Sequence, residues 1–127
     1  MNVSVSQITW PRVLIALTIL LVGDGLWFQY SVGRIYPKFT KVKIAWGLLA
    51  WLALAKAISA GKPESSHAAW YWGAAVGAIT YAVFNGTEMA IRPDWTPVVG
   101  LSDWLWGITI CSLSSVGLYY FQHRNQS

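Results

Sequence analysis

The sequence predicts an all-α integral membrane protein, a single domain built as a bundle of four antiparallel transmembrane helices. Of its 127 residues, 55% are hydrophobic and only 11% are charged, well below the roughly 25% charge usual in soluble domains. The apolar residues are concentrated in four runs separated by short breaks that contain Gly, Pro and Ser. The chain also contains nine tryptophans, a residue enriched where helices cross membrane–water interfaces.

The four apolar runs cover residues 11–32, 44–60, 68–91 and 98–121. A helix rises about 1.5 Å per residue, so runs of this length cross a hydrocarbon layer of about 30 Å. In lipid the backbone must satisfy its own hydrogen bonds, which predicts helices rather than strands. The connections are short, so successive helices are expected to be antiparallel. The first run is not expected to be a signal peptide, because it is long and contains Asp24.

The charge balance indicates a membrane surface as the partner, with no nucleic-acid role. Nine basic and five acidic residues give a formal charge of +4, and most of the basic residues lie between the apolar runs. More basic residues fall at the end with the first loop than at the opposite end, so the positive-inside tendency places this loop in the cytoplasm and both termini outside. The expected location is a bacterial inner membrane or an organellar membrane.

Small residues predict where helices approach each other closely. Gly73 and Gly77 form a small-xxx-small step in the third helix, a spacing that allows two helix backbones to come into contact. Gly23 and Gly25, which flank Asp24, form a second candidate for a close approach.

Polar residues within the predicted helices are the candidate functional residues. Ionisable side chains inside a membrane are costly and usually face the bundle interior or a wet cavity. From the helix rise, Asp24 lies about 12 Å, Asp103 about 9 Å and Glu88 about 6 Å below the surface that carries the first loop. Three carboxyl groups from three helices are therefore predicted to share one layer. The full predicted layer comprises Asp24, Tyr81, Asn85, Thr87, Glu88 and Asp103.

Helix spacing adds partners to this layer. Tyr81, Asn85, Glu88 and Arg92 follow one another at intervals of four, three and four residues, so they share one face of the third helix. Arg92 and Arg34 are the expected charge partners of the acids. Trp27, Trp95 and Trp106 are expected to pack beside the layer or to anchor the helices at an interface.

Three uses of the layer are open at this point. Its side chains could hydrogen-bond between helices and fix their register, handle a proton or cation, or bind a lipid headgroup or small solute. No metal site is expected, because His67 and His123 lie at the opposite end from the acids and neither is near Cys111 in sequence. No cofactor is evident, and a bound lipid or pigment is left open. Without a nucleophile–base pair the chain is not expected to be an enzyme, and lipid modification by the acids with Arg34 and Arg92 ranks last.

Three elements of the sequence resemble a known family. They are "GDGLWF", with Asp24 and Trp27, "GAAVGAITYAVFNGTEMA", and "DWTPVVGLSDWLWG", with Asp103, Trp106 and Gly107. Together they resemble the small bacterial four-helix membrane proteins known as domain of unknown function 2177. The likeness covers the first, third and fourth helices and leaves the second unmatched.

The resemblance implies four helices and a polar layer, but it supplies no reaction. The chain also departs from the family pattern, with Asn85 in place of an Asp, Gly86 in place of a Leu and Glu88 in place of an Asn. The expected function is that of a small accessory or structural subunit that packs against a larger membrane complex or against copies of itself. The alternative is proton, cation, small polar solute or lipid handling through Asp24, Glu88 and Asp103.

Overall fold

The chain folds into a bundle of four helices, in agreement with the predicted all-α class. The computed structural model describes residues 1–30 and 41–124, with side chains from residue 45 onward in the second range. Two short strands, β1 (Asn2–Val3) and β2 (Gly61–Lys62), pair in antiparallel fashion beside the bundle. The four helices are α1 (Trp10–Tyr30), α2 (Lys41–Ser59), α3 (Ser66–Ile91) and α4 (Pro97–Arg124).

Two of the described helices, α1 and α4, are long and apolar enough to cross a membrane. The described apolar part of α2, Ala45–Ser59, is shorter than a full span. The helix α3 is 26 residues long, but polar side chains such as those of Asn85 and Glu88 lower its hydropathy. The prediction that four helices cross the membrane is therefore supported by length and composition for two of them.

Glycines bring α3 and α4 into backbone contact. A Cβ added to Gly73 would collide with the carbonyl oxygen of Cys111, and one added to Gly77 would collide with that of Gly107. The close approach predicted from this glycine step is therefore confirmed. On α1, a Cβ at Gly23 would collide with the side chain of Ile110, whereas one at Gly25 would have no heavy atom within 4 Å. Of the second glycine pair, only Gly23 thus lies at a helix contact.

A buried arginine ties together the end of the bundle that carries the N-terminus. The guanidinium of Arg12 donates to the carbonyl oxygens of Gln7 at 2.9 Å, Ser59 at 3.0 Å and Gly61 at 2.7 Å, and to the side chain of Gln122. Ser59 is the last residue of α2, so this contact satisfies a carbonyl that the helix itself leaves open. The N-terminus, the α2–α3 connection and the end of α4 therefore lie together. Arg12 is itself buried, with 6% of its surface exposed.

The helices do not pack evenly around the bundle. The helices α3 and α4 contact each other along most of their length, and α1 packs against both α2 and α4. By contrast, α2 and α3 touch only sparsely. This unequal packing leaves a cleft between α2 and α3.

We predict that Gly77→Ala destabilises the bundle, because the new methyl group must push α4 away from α3. Overpacking of this kind costs about 1–3 kcal/mol. Gly86→Ala is the matched control, since a Cβ there meets no atom within 4 Å and alanine favours a helix over glycine by roughly 1 kcal/mol. The free energy of unfolding in detergent should fall for Gly77→Ala and stay level or rise for Gly86→Ala. Equal effects would show that the α3–α4 contact is not tight.

Candidate functional site

Asp24 is the centre of a buried polar network. It lies on α1, and its carboxyl group accepts hydrogen bonds from Trp51 Nε1 at 2.7 Å, Tyr81 Oη at 2.9 Å and Trp106 Nε1 at 2.8 Å. These donors come from α2, α3 and α4 in turn. With only 3% of Asp24 exposed, the three donors take the place of water around the carboxyl group.

A second carboxyl group, that of Asp103 on α4, is held in the same way. It accepts from Trp27 Nε1 at 2.9 Å and from Asn85 Nδ2 at 2.8 Å. The Asn85 amide also donates to the carbonyl oxygen of Tyr81, and its Oδ1 accepts from Trp95 Nε1 at 3.0 Å. Both the nitrogen and the oxygen of this buried side-chain amide are therefore hydrogen-bonded.

The two acids are linked by a crossed pair of tryptophans. Asp24 and Trp27 on α1 are three residues apart, as are Asp103 and Trp106 on α4. Each tryptophan donates to the aspartate of the other helix. The two indole rings stack with their centroids 5.0 Å apart and their planes 7° apart. The arrangement joins α1 to α4 by two hydrogen bonds and one ring contact, each of which orients the others.

Two predicted members of the layer, Thr87 and Glu88, lie outside this hydrogen-bond network. The Thr87 hydroxyl is exposed and donates to the carbonyl oxygen of Val83 in its own helix. The Glu88 carboxylate lies 3.4 Å from the guanidinium of Arg92, one turn closer to the end of α3. A carboxylate at that depth reaches the charge partner predicted for it. The hydrogen-bond network therefore contains two of the three predicted acids, Asp24 and Asp103.

Of the two arginines predicted to pair with the acids, the structure describes only Arg92. Arg92 also pairs with Asp94 at 2.8 Å, and this hydrogen bond holds the pKa of Asp94 below its ordinary value. Arg34, the other predicted partner, lies outside the described residues. Among the described side chains, neither Asp24 nor Asp103 forms an ion pair.

Two tryptophans have roles that the sequence did not reveal. Trp51 lies on α2, where the sequence predicted no functional residue, and it donates to Asp24. Its position in the middle of a predicted helix, away from the helix ends where tryptophans anchor at membrane–water interfaces, was the available signal. Trp95 was expected to pack beside the layer or to anchor its end, and it is 2% exposed and hydrogen-bonded to Asn85.

A cavity of about 550 Å³ opens in the cleft between α2 and α3. Its α2 wall is built largely from small residues, including Ala50, Ala53 and Ala57, and Phe84 stands on the α3 side. Asp24 and Asp103 reach it from the helices behind, beside Thr80, Tyr81 and Trp51. The cavity is thus apolar at its walls and polar at one place. Within the described residues, no three His, Cys, Asp or Glu side chains come together as they would around a metal ion.

Comparison with known proteins supports the family resemblance. The family model described as "Predicted membrane protein (DUF2177)" matches residues 44–120, more than half of the chain, and confirms the likeness. The match includes α2, which the sequence comparison had left unmatched, and begins after α1. The element containing Asp24 and Trp27 therefore lies outside it. No curated protein and no solved structure matches the chain.

We predict that Tyr81→Phe, which removes one donor to Asp24, destabilises the protein. A hydrogen bond to a charged group contributes about 1.5–3 kcal/mol, and the buried acceptor is left short of a partner. Tyr120→Phe is the matched control, because Tyr120 is exposed and such changes usually stay within about 0.5 kcal/mol. Unfolding in detergent should separate the two variants. Equal free energies of unfolding would mean that Asp24 does not depend on the Tyr81 hydroxyl.

Proposed function

This chain belongs to the family of predicted membrane proteins called domain of unknown function 2177, and we propose that it binds an amphipathic molecule drawn from the bilayer. In this proposal all four helices cross the membrane. The molecule lies in the cleft between α2 and α3, with its polar end beside Asp24 and Asp103. The observation that carries the proposal is the cavity itself, an apolar space with buried polar groups at one place.

Helix lengths and exposed surfaces support four spans. At about 1.5 Å per residue, the 19 residues of α2 reach about 28 Å and the 26 of α3 about 39 Å. The first length is close to the roughly 30 Å of a hydrocarbon layer and the second exceeds it. Large apolar side chains are exposed on every helix, among them Val22, Trp46, Ile79 and Leu105. Such a surface is favourable in lipid and costly in water.

The proposed topology follows from which ends lie together. The β1–β2 pairing and the contacts of Arg12 keep the N-terminus, the α2–α3 connection and the end of α4 together at one end. With the positive-inside tendency, we place this end outside and the first loop in the cytoplasm of a bacterial inner membrane or its organellar equivalent.

Two positions test this topology directly. In a Cys111→Ser background, which removes the single cysteine, Glu64→Cys and Asp94→Cys each introduce one exposed thiol. In spheroplasts, a membrane-impermeant maleimide should label the first variant at once and the second only after permeabilisation. If only α1 and α4 crossed the membrane, both connections would lie on one side and both thiols would label together.

The cleft has the features of a small-molecule site. Ligand pockets are typically 300–1,000 Å³, mostly apolar and provided with a few fixed polar groups, and the volume here, about 550 Å³, falls in this range. Alanines such as Ala53 and Ala57 leave room for a ligand chain between the helices. The polar groups are already fixed by their own hydrogen bonds, so binding would not require them to reorganise.

A second candidate function is that of an accessory subunit in a larger membrane complex or in an oligomer of this chain. It is favoured by the open helix surface at Gly86, where an added Cβ would meet nothing within 4 Å. Ala82 and Gly100 lie beside this position around a smaller cavity of about 240 Å³. Small residues on a membrane helix allow a second helix to approach closely.

We predict that Ala53→Leu blocks binding in the cleft. The longer side chain occupies the wall of the cavity, so the affinity for tetradecanol as a probe should fall about tenfold or more, a loss of about 1.4 kcal/mol per tenfold. Ala75→Leu is the matched control, an exposed alanine of α3 that does not line the cavity. Native mass spectrometry in a mild detergent counts bound probe molecules in each variant.

The same spectra distinguish the two candidate functions. Probe binding to a monomer that is lost in Ala53→Leu and kept in Ala75→Leu supports a binding site in the cleft. Unchanged probe binding in Ala53→Leu would contradict it. A stable oligomer or a co-purified protein whose association survives Ala53→Leu would instead support the accessory role.

A further inference from the structure

We infer that the molecule bound in the cleft carries a cationic, hydrogen-donating head, in the manner of a protonated long-chain amine. The inference rests on the proposed function, since it identifies the ligand class of the same cleft. It is carried by the donors and acceptors around the cavity and by the burial of two aspartates that form no ion pair with a described side chain.

The hydrogen-bond donors of Trp51, Thr80 and Tyr81, which line the cavity among the described residues, are already used. The indole N–H of Trp51 and the hydroxyl of Tyr81 both donate to Asp24. The hydroxyl of Thr80 donates to the carbonyl oxygen of Val76 in its own helix at 2.7 Å. Within the described part of the chain, these three side chains therefore have no donor left to offer a ligand.

Acceptor capacity, by contrast, is left over. A carboxylate offers about four lone-pair sites, of which Asp24 fills three and Asp103 two in this structure. The oxygens of Thr80 and Tyr81 also keep lone pairs. A headgroup that only accepts hydrogen bonds, such as a carboxylate or a phosphate diester, finds no free donor on the described Trp51, Thr80 or Tyr81. A headgroup that donates finds several.

Charge selects further among donors. Two carboxyl groups that are each less than 5% exposed line the cavity, and no described side chain forms an ion pair with either. Ionising a buried carboxyl group without a counter-ion is costly, and a cation bound beside it lowers this cost, which a neutral alcohol does not. An anion is repelled by the same groups. An ammonium head, with three donors and one positive charge, matches both the acceptors and the charge.

The rest of the cavity accounts for the long chain. Apart from the polar side chains, the walls are Ala, Gly, Leu and Phe residues of α2, α3 and α1. These apolar walls suit the methylene groups of a ligand chain. Burial contributes about 0.8 kcal/mol per methylene group. The head of a lipophilic amine thus meets the carboxyl groups and its chain meets the apolar walls. A small hydrated cation would find oxygen ligands at one place only and would leave the rest of the cavity unfilled.

The test is a series of probes that share one chain and differ only in the head. Tetradecylamine, which like lysine is protonated at neutral pH, is compared with tetradecanol and tetradecanoate by native mass spectrometry of the full-length protein. Binding that persists in Ala53→Leu is subtracted as association with the detergent belt, and Ala75→Leu serves as the unchanged reference. We expect the amine to bind about tenfold or more tightly than the alcohol, and the carboxylate to bind weakest.

The variant Asp103→Asn provides a second test of the same inference. It removes one charge while keeping the shape of the side chain, so the preference for the amine over the alcohol should fall toward unity. Its thermal unfolding in detergent shows whether the fold is kept, and the headgroup series on the unaltered protein does not depend on this variant.

The outcomes separate the inference from the proposed function. Cleft-dependent binding in which amine and alcohol are equal, or in which the carboxylate binds best, would overturn the inference and leave the proposed function standing. If no probe bound in a way that Ala53→Leu removes, both would fail. A preference for the amine that persists unchanged in a folded Asp103→Asn protein would show that the head does not meet this carboxyl group.

Discussion

The hydrogen bonds that converge on Asp24 are the constraint on which the rest of the bundle depends. This carboxyl group lies on α1 and receives one donor from each of the other three helices. Leaving a buried carboxylate without donors costs several kcal/mol, so the helices must keep the positions that bring Trp51, Tyr81 and Trp106 together. In lipid, the hydrophobic effect gives helices no preferred arrangement, and polar contacts and close packing have to supply it.

The crossed pairs between α1 and α4 extend this constraint along the helices. Each helix carries an aspartate followed three residues later by a tryptophan, and each tryptophan donates to the aspartate of the other helix. Because α1 and α4 are antiparallel, a one-turn slip between them would break both bonds at once. The stacking of Trp27 on Trp106 adds a ring contact between the same two helices. Register and rotation of the two helices are therefore fixed together.

Depth along a helix could be predicted from the sequence, while rotation about its axis and gaps between helices could not. The four apolar runs give the helices, and helix rise brings Asp24 and Asp103 to one layer with the Tyr81–Asn85 face. Counting residues gives the depth of Glu88 but not the direction of its side chain. The sequence alone therefore does not show that Glu88 pairs with Arg92 and makes no bond to the other acids' network. Trp51 and Trp95 were ambiguous because an indole serves equally as an interfacial anchor and as a buried donor. The cleft is a lack of packing between α2 and α3, for which no residue pattern gives a signal.

The same network explains how a cleft can exist in so small a bundle. Glycines hold α3 against α4, the crossed pairs hold α1 against α4, and α2 is tied to the bundle through α1 and the Trp51–Asp24 bond. The gap between α2 and α3 therefore need not be closed by packing for the helices to keep their places. Its polar groups are fixed by bonds made behind the cavity and not across it. The bonds that hold the bundle together thus also leave acceptor oxygens of Asp24 and Asp103 directed at an apolar space, which is the arrangement a donating, chain-bearing ligand requires.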